Sequence, residues 1–84
     1  MAKREELLKR ISIDPNVCFG KPCVRGTRIS ASLIVDNLAE GISEAELIAA
    51  HPQLQPDDIR AALAFAAEMT RERIIPLRPE PVKP

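Results

Sequence analysis

The chain has 84 residues with 12 basic and 12 acidic side chains, a formal net charge of zero, no Trp or Tyr, and two Phe. One domain with a thin core is expected, because a chain this short buries only about 60–65% of its unfolded surface. The neutral balance argues against indiscriminate nucleic-acid binding. No apolar run approaches the ~18 residues of a membrane span, and the start "MAKREELLKR" lacks the apolar stretch of a signal peptide. Two cysteines make no disulfide framework, so reduced thiols and a cytoplasmic location are expected.

The charge is unevenly spread. Residues 1–28 hold seven basic and three acidic residues, whereas residues 29–70 hold Arg60 against seven acids. A cationic front third therefore precedes an acidic middle.

In chain order, "KREELLKR" reads as a short helix with Leu7, Leu8 and Ile11 on one side. "ISID" alternates and reads as a strand with Ile11 and Ile13 on one face, stopped by Pro15. The segment around Phe19-Gly20-Lys21-Pro22 is loop-like. Cys23-Val24 and Thr27-Arg28-Ile29 read as two short strands turning at Arg25-Gly26, where glycine accepts a positive φ.

The pattern then becomes helical. Ser30 is the expected N-cap of "ASLIVDNLAE", with Leu33, Ile34, Asn37 and Leu38 on one face and Gly41 as the C-terminal stop. Ser43 and Glu46 form an S-x-x-E capping box, flanked by the staple positions Ile42 and Leu47. Pro52 ends that helix, and Leu54 is the inward anchor of the next turn. A last helix is expected from Pro56 to Ile74, with Asp57 and Asp58 suited to its N-terminus. Its apolar side comprises Ile59, Ala62, Leu63, Ala66 and Met69, widened by Phe65 and Ala67. "PLRPEPVKP" reads as an extended tail. The expected fold is mainly α: a three-helix helix-turn-helix core behind a short N-terminal β-hairpin. Residues 1–10 form an N-terminal extension, 11–75 the domain with its hairpin at 23–29, and 76–84 a Pro-rich tail.

The stretch "RISIDPNVCFGKPCVRGTRIS" followed by "LIVDNLAEGISEAELIAAHPQLQPDDIRAALAFAAE" closely resembles the domain of unknown function 433 family. The most specific part is Gly20, Lys21, Pro22, Gly26, Thr27, Arg28 and Ile29, supported by Pro52, Leu54 and Asp57 to Leu63. The chain departs from the family's usual pattern at Phe19, Cys23, His51, Gln55 and Phe65. The resemblance implies a small prokaryotic VapB-like antitoxin that partners a PIN-like ribonuclease toxin and autoregulates by binding DNA.

Several sharper motifs fail on their residues. Cys18-x4-Cys23 with His51 falls short of the four ligands zinc wants, so no metal is expected. Gly20-Lys21 lacks the upstream glycine and the following Ser or Thr of a phosphate loop. His51 lies beside no nucleophile–carboxylate constellation, so neither catalysis nor a cofactor is expected. The third core helix would enter a major groove by Gln55-Pro56-Asp57-Asp58, whose carboxylates oppose phosphate. Lys9, Arg10, Lys21, Arg25 and Arg28 are the candidate DNA contacts, or else a solvated face. Ile11, Ile13, Phe65, Met69, Ile74 and Leu77 are candidates for a partner or homodimer interface. The competing readings are an interaction or dimerisation module without DNA binding and a stand-alone transcription regulator.

Overall fold

A computed structural model describes residues 3–72. Its elements are α1 (Arg4–Leu8), β1 (Ile11–Ser12), β2 (Cys23–Val24), α2 (Ala31–Ala39), α3 (Glu44–Ala50) and α4 (Pro56–Glu72). The fold is mainly helical with one short antiparallel two-stranded sheet near the N-terminus.

The helix boundaries follow from local chemistry. The Ser30 hydroxyl accepts the Leu33 N–H at 3.1 Å and starts α2. Gly41 at φ +94° ends it. There Ile42 N–H reaches Asn37 O at 3.0 Å and Gly41 N–H reaches Leu38 O at 3.1 Å, a Schellman closure. The capping box at α3 is complete: Glu46 N–H donates to Ser43 Oγ at 3.1 Å, and Ser43 N–H to Glu46 Oε1 at 3.3 Å. No Ser or Thr precedes α4, and Asp58 takes that role from inside the helix. Its Oδ2 accepts the Gln55 N–H at 2.8 Å.

The core joins all elements after α1. Ile11, Val24, Ile29, Ala31, Ile34, Leu47, Leu54, Ile59, Ala61 and Ala62 form one buried cluster, and Leu7 of α1 packs on its edge. α4 is the central rod. Ala61, Ala62 and Ala64 are buried on it, so α1 and α2 approach its backbone closely. Arg4 Nη1 of α1 donates to Ala64 O at 3.4 Å.

Three expectations need correction. The partner of β2 is β1, paired Ile11↔Val24 and Ser12↔Cys23, and Thr27–Ile29 forms no strand. The chain does turn at Gly26 (φ +81°), closed by Thr27 N–H to Val24 O at 3.0 Å, but a single bridge, Cys23↔Ser30, follows. Thr27 turns its hydroxyl onto the Val24 carbonyl and the Ile29 N–H, which satisfies those groups without a ladder. Ile13 does not share the burial of Ile11: it is 62% exposed against 7%, because β1 ends at Ser12. Leu63 lies outside the buried face of α4, since alanines allow the tight contacts on both flanks.

Ile34 is fully buried at the centre of this cluster. Ile34→Ala is expected to lower unfolding free energy by about 3 kcal/mol, measured by urea denaturation. A loss under about 1 kcal/mol would mean that the site collapses around the missing atoms.

Candidate functional site

The five basic residues named from sequence divide into two groups. Arg10, half-buried, and Arg25, exposed, are both hydrogen-bonded within the chain. Arg10 Nη1 donates to Asp58 Oδ1 at 3.0 Å, and Nη2 lies 3.8 Å from Asp57 Oδ2. Arg25 Nε donates to Lys9 O at 2.9 Å and Nη2 to Ile11 O at 3.3 Å. The intervening Arg10 O faces β2 and accepts the Arg25 N–H at 2.7 Å. Carbonyls alternate along a strand, so that of Ile11 faces the outer edge of β1, while Lys9 is the helical C-cap of α1. The Arg25 guanidinium thus supplies donors where a third strand would sit and blunts that edge. Lys9, Lys21 and Arg28 are exposed and make no ion pair among the described residues.

Arg25 and Arg28 line an open groove of about 840 Å³ with Ile11–Pro15, Val17, Gly26 and Thr27. Its one acid is Asp14, whose Oδ1 accepts the Asn16 N–H at 2.9 Å. The start of α4 carries less free negative charge than its sequence suggests. Asp58 is 5% exposed and doubly engaged, and Asp57 is half-buried beside Arg10.

The loop before β2 is fastened by its own backbone. Val17 N–H donates to Asp14 O, Gly20 N–H to Val17 O, and Lys21 N–H to Cys18 O. Cys18, Phe19 and Gly20 are consecutive left-handed residues, with φ of 51°, 57° and 80°. A left-handed non-glycine residue costs roughly 1–2 kcal/mol. Phe19 nevertheless stands 98% exposed at the tip. Both cysteines are free thiols. Burial pushes the Cys23 thiol above its ordinary value, and its hydrogen bond to Cys18 adds to the rise. Cys18 Sγ also donates to Arg28 O at 3.3 Å, which ties the loop to the second turn. Among the described residues no group of three His, Cys, Asp or Glu stands together as a metal site.

The interface candidates also divide. Ile11 is core. Ile13, Phe65 and Met69 come together with Leu8 around a groove of about 370 Å³. Phe65 and Met69 also border a second groove of about 410 Å³, lined by Pro22, Ala31, Val35, Ala62 and Ala66, with Lys21 and Asp36 at it. Ile74 and Leu77 lie outside the described residues. Sequence reasoning missed the exposed prong of Phe19. Its one signal was an aromatic residue within a loop composition, ahead of a glycine.

These features define a small helical domain whose β-ribbon presents a basic groove and whose α4 presents an apolar face, the two meeting at Ile13. The family model described as "Protein of unknown function (DUF433)" matches residues 11–66, and the chain belongs to that family. It is also similar to the crystal structure of a DUF433 member protein from Anabaena variabilis ATCC 29413. That similarity has 31% identity and a TM-score of 0.71, covering 81% of this chain and 67% of the other. No curated protein matches the chain. None of the described helices is long and apolar enough to cross a membrane.

Phe19→Gly removes an exposed ring from a left-handed position. It is expected to raise Tm by about 2–6 °C in a thermal melt, the scale of a fraction of a kcal/mol in a domain of this size. A lower Tm would show that the ring stabilises the fold.

Proposed function

We propose that the chain is the antitoxin-like component of a type II toxin–antitoxin pair. It binds a PIN-like ribonuclease toxin, acts without chemistry of its own, and binds operator DNA as a homodimer in the cytoplasm. The observation that supports this reading is that one small fold carries both an exposed apolar face and exposed cations. The apolar face at Ile13, Phe65 and Met69 suits a protein partner. The exposed cations Lys9, Lys21 and Arg28 suit phosphate. A chain that holds a toxin and an operator together requires both. Dimerisation would double the basic surface and match a palindromic site.

A second reading is favoured by one specific observation. Arg10 and Arg25, two of the five basic residues named from sequence, have their guanidiniums hydrogen-bonded to Asp58 and to backbone carbonyls, which reduces the contacts they can offer to phosphate. Under that reading the domain is an interaction or dimerisation module without DNA binding.

Co-expression with the adjacent reading frame tests the main proposal. The neighbour alone is expected to arrest growth, and this chain to restore growth and co-purify with it. Phe65→Glu with Met69→Glu is expected to weaken co-purification at least tenfold if the apolar face is the contact, through burial of unpaired charge. A harmless neighbour that does not bind would end the antitoxin reading.

A further inference from the structure

We infer that Phe19 is an apolar wedge for duplex DNA, inserting at a base step while Lys21 and Arg28 hold the flanking phosphates; this rests on the DNA-binding arm of the proposed function. Three observations converge. The ring is 98% exposed, so the core gains nothing from it. Its backbone is held left-handed (φ 57°, ψ 33°) between left-handed Cys18 and Gly20, in a loop closed by three backbone hydrogen bonds. A strained conformation persists only where its surroundings impose it, and such positions cluster at binding sites. The loop therefore presents the ring ready-placed, with little ordering left to occur on contact.

The third observation is charge. Lys21 follows Phe19 by two residues, and the thiol of Cys18 bonds the Arg28 carbonyl, so the loop that carries the ring also carries Lys21, at a groove with Asp36, and is tied to the backbone of Arg28, whose side chain lines the groove with Arg25. Asp14, the acid of this ribbon, has one carboxylate oxygen turned to the Asn16 N–H. The remaining acids of residues 29–70 belong to α2, α3 and α4 or their ends. An exposed aromatic ring on a loop that carries Lys21 and is tied to Arg28 matches a base stack flanked by phosphates. Apolar side chains inserted at base steps unstack and kink the duplex by 20–90° in general.

The test uses the full chain and a duplex from the region immediately upstream of its reading frame, labelled at both ends for energy transfer. Affinity, salt slope and bend are read for the wild type, Phe19→Ala, Phe19→Gly, Phe19→Leu and Lys21→Ala/Arg28→Ala. Thermal melts confirm that each variant folds. The inference expects Phe19→Ala and Phe19→Gly to lose the bend and bind about tenfold more weakly, the scale of one base–aromatic stack. Their salt slopes stay unchanged, and Phe19→Leu keeps most of the bend. Lys21→Ala/Arg28→Ala lowers the salt slope by about two phosphate contacts. Wild-type affinity and bend in Phe19→Ala, alongside a reduced slope in the cation variant, would overturn the wedge and leave the DNA-binding reading standing. A wild-type chain that does not bind the duplex would overturn both. Loss of binding to the neighbouring-frame protein alone would assign Phe19 to a protein contact and overturn the wedge.

Discussion

The ion pair between Arg10 and Asp58 is the junction on which the arrangement depends. Asp58 is nearly fully buried, and a buried carboxylate requires partners. It finds two: the Arg10 guanidinium at 3.0 Å and the Gln55 N–H at 2.8 Å. One side chain thus opens α4 and fastens the start of the β-ribbon to it. Arg10 continues the connection through its own backbone, since its carbonyl accepts the Arg25 N–H, and Arg25 returns its guanidinium to Lys9 and Ile11. Two arginines therefore interlock ribbon and helix bundle into one body.

That interlock changes what the basic residues can do. A cation with its hydrogen bonds already committed inside the fold contributes field but few contacts to a polyanion. Lys9, Lys21 and Arg28 remain exposed, and Phe19 stands exposed on the loop that carries Lys21. The same interlock draws the acidic start of α4 inward, which lessens its repulsion of phosphate. The apolar face of Ile13, Phe65 and Met69 adjoins this basic ribbon, with Ile13 shared between that face and the groove of Arg25 and Arg28.

What was legible in the sequence is what local chemistry decides. Ser30, Gly41 and Ser43 with Glu46 each mark a helix end through bonds to residues three or four positions away, and Pro56 marks one by its fixed φ. Pairing across distance was less legible. β1 and β2 are separated by a loop of ten residues, and both neighbours of Cys23-Val24 carried strand-like composition. The lining of α4 was misread at Leu63 because hydrophobic patterning favours large residues, while two close helix contacts select alanine. The basic candidates were visible as charges, but the carbonyls and carboxylate that occupy Arg10 and Arg25 come from remote parts of the chain. The left-handed run at Cys18-Phe19 had no marker, since a positive φ is ordinarily announced by glycine or asparagine.

A double-mutant cycle of Arg10→Ala and Asp58→Ala, followed by urea denaturation, tests the interlock most directly. The account predicts a coupling of about 1.5 kcal/mol, with Asp58→Ala the costlier single change because it also strips the start of α4. Additive effects within about 0.3 kcal/mol would contradict it: ribbon and bundle would then be neighbours that the pair does not join.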